Sequence, residues 1–138
     1  MPTIVALLRD DKLGAARESD DLSSYYAAFT EIDADPAQYL VAVHDEKDQV
    51  VGTMQLTLIP GLSRAAALRL QIEAVRVAQS ERGTGLGTEL FHWAIDYGRA
   101  NGARLVQLTT DNQRPDAQRF YEKLGFVASH AGMKLPLD

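Results

Sequence analysis

The apolar positions of this chain change period along its length, and the changes mark out its elements. Ile4, Leu7 and Leu8 recur at helical spacing behind Thr3, which predicts a short helix with Thr3 as N-cap. The charged stretch 10–21, with a glycine inside it, reads as a loop. A second helix, capped by Ser19, Asp20 or Asp21, runs to about Ile32 with Leu22, Tyr25, Tyr26 and Phe29 on one side. It stops before Asp35-Pro36, because proline disfavours helical backbone in the residue before it.

From residue 39 the pattern becomes strand-like. Residues 39–43 and 50–59 read as strands joined by a polar turn at 45–48. A second turn at 60–63 leads into a long strand from about 66 to 77, giving an antiparallel meander. Residues 87–100 return to helical spacing, with Leu90, Phe91, Ala94 and Ile95 as the buried stripe and Asn101-Gly102 as the close. The apolar stretch 105–109 then makes a parallel strand-helix-strand crossover. Pro115 opens a further helix, Gly125 ends it, and Phe126 sits where a Schellman cap wants its hydrophobic contact. Residues 126–129 and 133–137 read as two short closing strands. The expected fold is α+β: one domain over 1–138, with helices flanking a mixed, mostly antiparallel sheet.

Composition narrows the function classes. At 138 residues, 46% hydrophobic and 24% charged, the chain has the make-up of a soluble globular domain. It has no cysteine, which removes thiol and disulfide chemistry and suits a cytoplasmic location. His44, His92 and His130 are far apart, so no metal site is expected. No apolar run approaches the roughly 20 residues of a membrane span, and the first residues lack a signal-peptide layout. A net charge of −5 argues against general nucleic-acid binding while leaving room for a local basic patch.

The chemistry gathers where the long strand ends. Val75, Arg76 and Val77 are followed by Arg82-Gly83-Thr84-Gly85-Leu86-Gly87-Thr88, and then the helix starts. A strand, a glycine-rich loop and a helix N-terminus together present bare amides at the positive end of a helix dipole, a ready anion site. The spacing is not the dinucleotide fingerprint, since Thr88 stands where that pattern wants its third glycine. Nor does a Gly-Lys-Ser/Thr follow, so it is not a P-loop. A phosphate-binding loop is one reading and a plain turn is the other.

These residues resemble the GNAT superfamily of acyl-CoA-dependent N-acetyltransferases. Its first motif is matched by Arg82-Gly83-Thr84-Gly85-Leu86-Gly87, and its second by Ala117-Gln118-Arg119-Phe120-Tyr121-Glu122-Lys123-Leu124-Gly125-Phe126. The resemblance covers residue 39 onward well and the N-terminal helices loosely. It implies that the loop amides of residues 82–88 hold the pyrophosphate of acetyl-CoA. Backbone groups of Val75 and Val77, with Arg76 between them, would line the pantetheine arm and polarise the acetyl carbonyl. Transfer to an amine passes through a tetrahedral oxyanion, which needs such a donor.

The same resemblance makes Glu73 the candidate general base and Tyr121 the candidate acid for the leaving thiolate. On a regular pleat Glu73 shares a face with Val75 and Val77. The plainer readings are a solvated strand carboxylate for Glu73 and a core aromatic for Tyr121, although helical spacing favours Phe120 for the core. His130 is either a cleft residue or a surface histidine. Where many relatives have an asparagine contacting the cofactor, this chain has Arg114, with Asn112 two residues earlier as the alternative contact.

Relatives also begin with a strand before the first helix, whereas this chain starts almost at the helix. The expectation is a sheet without that strand, an unpaired edge at 39–43 and a possible homodimer. The acceptor is expected to be a small-molecule primary amine; Asp10, Asp11, Glu18, Asp20 and Asp21 either attract it or, as the plainer reading for most of them, are solvated loop charges. A protein or peptide acceptor and a non-catalytic acyl-CoA-binding module are the alternatives.

Overall fold

The computed structural model describes residues 1–10, 12–112 and 115–137. Helices α1 (Pro2–Arg9), α2 (Lys12–Arg17) and α3 (Ser23–Ala34) come first, then strands β1 (Gln38–His44) and β2 (Val50–Ile59). A single turn, α4 (Ser63–Ala66), leads to β3 (Arg69–Val77), which a short 3-10 turn (Gln79–Glu81) joins to α5 (Leu86–Ala100). β4 (Leu105–Gln107) and α6 (Pro115–Lys123) complete the elements. The sheet has the order β1-β2-β3-β4, antiparallel except for the parallel β3–β4 pair. This is the expected mixed sheet, with β1 at one edge.

The chain divides into a compact unit Met1–Gln107, which holds the sheet, and a smaller unit Leu108–Asp138, which holds α6. No described helix is long and apolar enough to cross a membrane.

The core of the first unit follows from the strand alternation. Met54, Leu56, Leu70 and Ile72 are fully buried, and α5 adds Leu90, Phe91 and Ala94. Gly98 brings α5 close to β3, since a Cβ there would stand 3.1 Å from the Leu70 Cδ2. Ile95, expected in this stripe, is only half-buried. Beside the β1 edge, Tyr39 meets Trp93 and Tyr97 edge-on at 5.6 and 5.4 Å between ring centres.

Local signals explain most boundaries. Asp35 is extended ahead of Pro36, and its Oδ1 accepts from the Ala37 N–H as α3 ends. In the β1–β2 turn the Asp45 Oδ1 accepts from the N–H groups of Lys47 and Gln49. Helix α5 closes with Gly102 at φ 84. Helix α6 ends in a Schellman motif: Phe126 N–H donates to the Tyr121 carbonyl at 3.1 Å and Gly125 N–H to that of Glu122 at 3.0 Å. The Tyr121 and Phe126 rings make the accompanying contact, 6.0 Å between centres.

Several expectations are corrected. Thr3 is not the N-cap of α1: the helix starts at Pro2, where proline's missing N–H costs nothing, and Thr3 falls inside the first turn. The stretch expected as a loop contains α2. Among the cap candidates, Asp21 serves α3 from just outside it, accepting from both the N–H and the hydroxyl of Ser23. Those two bonds hold the Asp21 carboxyl below its ordinary pKa. β3 starts three residues later than expected, because Arg64, Ala65 and Ala66 take positive φ. Residues 126–137 form no strand. Pro136 cannot donate to a ladder, and Val127, Met133, Leu135 and Leu137 are left exposed.

Candidate active site

β3 is not a regular strand, and this reshapes the site. Gln55 pairs with Glu73, while Thr53 pairs with Arg76, so Ala74 and Val75 both stand opposite Met54. Ala74 has φ 55. This is a β-bulge, which kinks the strand and reverses the phase of its side chains. Glu73 and Arg76 lie on the face of Gln55 and Thr53, whereas Val77 pairs with Gly52 and lies on the other. The expected common face of Glu73 and Val77 is therefore wrong, and the extra residue at the bulge is the reason.

β3 has already parted from β4 ahead of the bulge. Their ladder runs only from Arg69↔Leu105 to Gln71↔Gln107, while β3 continues to Val77. β4 ends at Gln107 instead of the expected residue 109. Past residue 71, the β4-facing backbone edge of β3 thus has no partner strand among the described residues. The Val75 carbonyl accepts from Arg76 Nη1 at 2.8 Å, a side-chain contact that a bound amide can displace.

The glycine loop then sets up the helix start. Gly83 and Gly85 have φ 86 and 87, a left-handed backbone that side chains disfavour, and Gly85 is the N-cap of α5. Thr84 is fixed by its hydroxyl, which donates to the Glu81 carbonyl at 2.6 Å. Among the described residues, the N–H groups of Gly83, Gly85, Gly87 and Thr88 have no acceptor. Leu86 N–H has only a long contact, 3.4 Å, to the Thr84 hydroxyl. Unsatisfied donors at an exposed helix start, with the dipole behind them, make a site for a phosphate group. Arg82 stands beside them, exposed, its Nη2 3.7 Å from a carboxylate oxygen of Asp10 at the end of α1.

The remaining candidates separate into groups. Glu73 is exposed and has no hydrogen-bond or ion-pair partner among the described residues. Tyr121 belongs to the second unit, where its ring meets Phe120 at 5.6 Å and Phe126 at 6.0 Å. Phe120 and Tyr121 are both half-buried. Asn112 sits exposed in a turn of that unit, and Arg114 lies outside the described residues. His130 is exposed, with Nδ1 2.7 Å from the Ser129 hydroxyl.

Most of the acidic candidates are already engaged. Asp10 pairs with Arg82, Asp20 with Arg9 at 2.8 Å, and Asp21 caps α3. Glu18 accepts from the Tyr25 hydroxyl at 2.7 Å, a bond that raises the Tyr25 pKa. Asp11 lies outside the described residues. Two residues of the polar face were not singled out from the sequence. Gln71, which accepts from Gln107 Nε2 at 2.8 Å, and Arg69 stand on β3 in line with Glu73. Their even two-residue spacing was the available signal.

A bulged strand parting from its neighbour, followed by a helix start with unsatisfied amides, is an arrangement able to take a phosphate-bearing ligand. The chain belongs to the acetyltransferase (GNAT) family, whose model matches residues 2–126. Aminoalkylphosphonate N-acetyltransferase of Salmonella typhimurium is 35% identical over 82 residues, 59% of this chain and 53% of that protein. Glucosamine 6-phosphate N-acetyltransferase of Trypanosoma brucei brucei is 34% identical over 97 residues, 70% of this chain and 64% of that protein. The chain thus spans between half and two thirds of the length of these curated relatives. Among solved structures, one described as a transcriptional regulator from Bacillus halodurans C-125 has a TM-score of 0.93 and 43% identity. It covers 98% of this chain and 91% of its own. A putative acetyltransferase from Agrobacterium tumefaciens has a TM-score of 0.85 and 26% identity, covering 99% of this chain and 92% of its own.

Proposed function

We propose that this chain, acting as a single domain, is an N-acetyltransferase that moves an acetyl group from acetyl-CoA directly to the primary amine of a small molecule. The observation that carries this reading is the row of unsatisfied amides at Gly83, Gly85, Gly87 and Thr88, shortly after a strand whose outer edge beyond Gln71 has no partner strand among the described residues. The amides and Arg82 hold the pyrophosphate. Val75, Arg76 and Val77 offer backbone to the pantetheine arm, whose amides complete an edge that otherwise lacks a strand. Acetyl-CoA supplies an activated acyl group. Glu73 receives the proton of the acceptor ammonium through water, since a carboxylate is a weak base toward an alkylammonium ion. The Tyr121 hydroxyl donates to the departing sulfur, and Asn112 contributes a cofactor contact. Two of the relatives are named for acceptors that are small amines, which supports a small-molecule acceptor here.

The test is free-thiol release from acetyl-CoA across a panel of amines. Amine-dependent release is expected. Acetyl-CoA binding without release across a broad panel would instead favour a non-catalytic acyl-CoA-binding regulator. The 43%-identical structure described as a transcriptional regulator is the observation on that side.

Two variants probe the assignment. Tyr121→Phe keeps the ring contacts with Phe120 and Phe126, so it should lower kcat about tenfold or more while acetyl-CoA affinity stays level. A wild-type kcat would remove Tyr121 from the chemistry. Asp10→Asn frees Arg82 from its exposed ion pair and removes a negative charge near the phosphates. Acetyl-CoA should then bind about two- to fivefold more tightly at low salt, the scale of an exposed pair. Weaker binding in calorimetry would show that Asp10 positions Arg82 instead of competing for it.

A further inference from the structure

We infer that the acceptor carries an anionic group in addition to its amine, and that Arg69 binds that group. This rests on the acetyltransferase reading and adds the acceptor's chemical class to it. Ahead of the bulge β3 alternates regularly: Leu70 and Ile72 are buried on one face, so Arg69, Gln71 and Glu73 share the other. A cation, an amide and an anion therefore stand in line along one strand.

The surroundings of Arg69 make it more than a surface charge. It is half-buried, and its ladder neighbours on the two sides are Ile59 and Leu105, both apolar. It forms no ion pair or hydrogen bond with a described residue. The apolar neighbours cover the stem of Arg69 and leave its charge without a described counter-ion, and a ligand anion supplies that partner. Its Nη2 lies beside Gly61, where even a Cβ would sit at an ordinary 3.6 Å.

Glu73, at the other end of the row, is a carboxylate with no partner among the described residues and is suited to an ammonium. Between them Gln71 and Gln107 are joined by one hydrogen bond, which leaves amide donors and acceptors for a polar linker. Gln55 and Thr57 on β2 both donate to the Gln38 Oε1, so the adjoining face is polar and uncharged. Four residues of strand separate the Cα atoms of Arg69 and Glu73 by about 13 Å. The fitting acceptor is an extended molecule with an amine at one end and a carboxylate, phosphate or phosphonate at the other.

The test uses ω-amino acids of increasing chain length against their uncharged primary amides, with acetyl-CoA and the full chain. At the best length the wild-type kcat/KM should favour the acid by about 10- to 100-fold, the scale of a charge-assisted hydrogen-bond pair. Arg69→Gln should remove that preference, chiefly through the acid's KM, and leave the amide's kcat/KM level. Arg69→Lys should restore part of it. Equal use of acid and amide by the wild type, or an equal loss for both in Arg69→Gln, would overturn the inference. The wild-type comparison needs no variant to fold. Calorimetry with coenzyme A present reads the same preference without turnover. Acid-selective binding lost in Arg69→Gln, with no transfer to any amine, would uphold this inference and sink the acetyltransferase reading; transfer without acid preference would do the reverse.

Discussion

Gly85→Asp should weaken acetyl-CoA binding about 100-fold or more while the protein remains folded, because three effects add at one residue. Gly85 is left-handed at φ 87, a backbone that costs an L-residue about 1–2 kcal/mol. An aspartate there also carries its carboxylate to the unsatisfied amides at the start of α5, and so fills the phosphate site from within. Finally, that charge repels the incoming phosphates. A Cβ at Gly85 meets nothing within 4 Å, so steric disruption of the protein does not contribute. Gly85→Asn isolates the charge: it has nearly the same shape, meets the same left-handed backbone as the aspartate and should lose only about tenfold. The gap between the two variants should narrow as salt is added. Calorimetric titration with acetyl-CoA, beside thermal unfolding of each variant, measures all of this. Undiminished affinity in the aspartate variant would dispose of the loop assignment.

Glu73→Gln should lower kcat about 100-fold, the low end of what a positioned base contributes, with acetyl-CoA affinity unchanged. The amide keeps the size of the side chain and stands opposite Gln55, so neither the bulge nor the sheet register is disturbed. The pH profile gives the sign. At low pH the acceptor is an ammonium ion and needs a base; as pH rises toward the amine's own pKa, more of it arrives deprotonated. The deficit of the variant should therefore shrink with rising pH. A constant deficit would point to lost acceptor binding instead of lost proton transfer, and a wild-type kcat would exclude Glu73 as the base.

Much of this fold was legible because its signals are local. Asp35-Pro36 ends α3 through the restriction that proline puts on its neighbour. Leu90, Phe91 and Ala94 face the core because helical spacing leaves them no other face. The Schellman close of α6 needs only Gly125 and Phe126 in their places. Misreadings came where local evidence was balanced. Thr3 is as good a cap as Pro2 is a first-turn residue, and only the observed helix start separates them. In residues 133–137 the alternation suits a strand, but a strand exists only with a ladder partner, and alternation says nothing about partners.

The bulge lies between these cases. Leu70 and Ile72 keep one phase and Val75 and Val77 the other, so the break at residues 73–74 was written in the apolar pattern. Its consequence was not, because the face of Glu73 depends on how β2 takes up the extra residue.

By itself, then, the sequence determined the order of the elements, the glycine loop before α5 and the family to which the two motifs belong. Periodicity, caps and backbone preferences act over a few residues, and a chain carries them wherever it goes. Only the tertiary structure decided which amides of residues 83–88 are left without acceptors, that β3 parts from β4 after Gln71, and that Arg69, Gln71 and Glu73 share one face. Those features depend on what stands across a ladder or beside a loop, and that is set when strands distant in the chain pair around the core of Met54, Leu56, Leu70, Ile72 and Phe91.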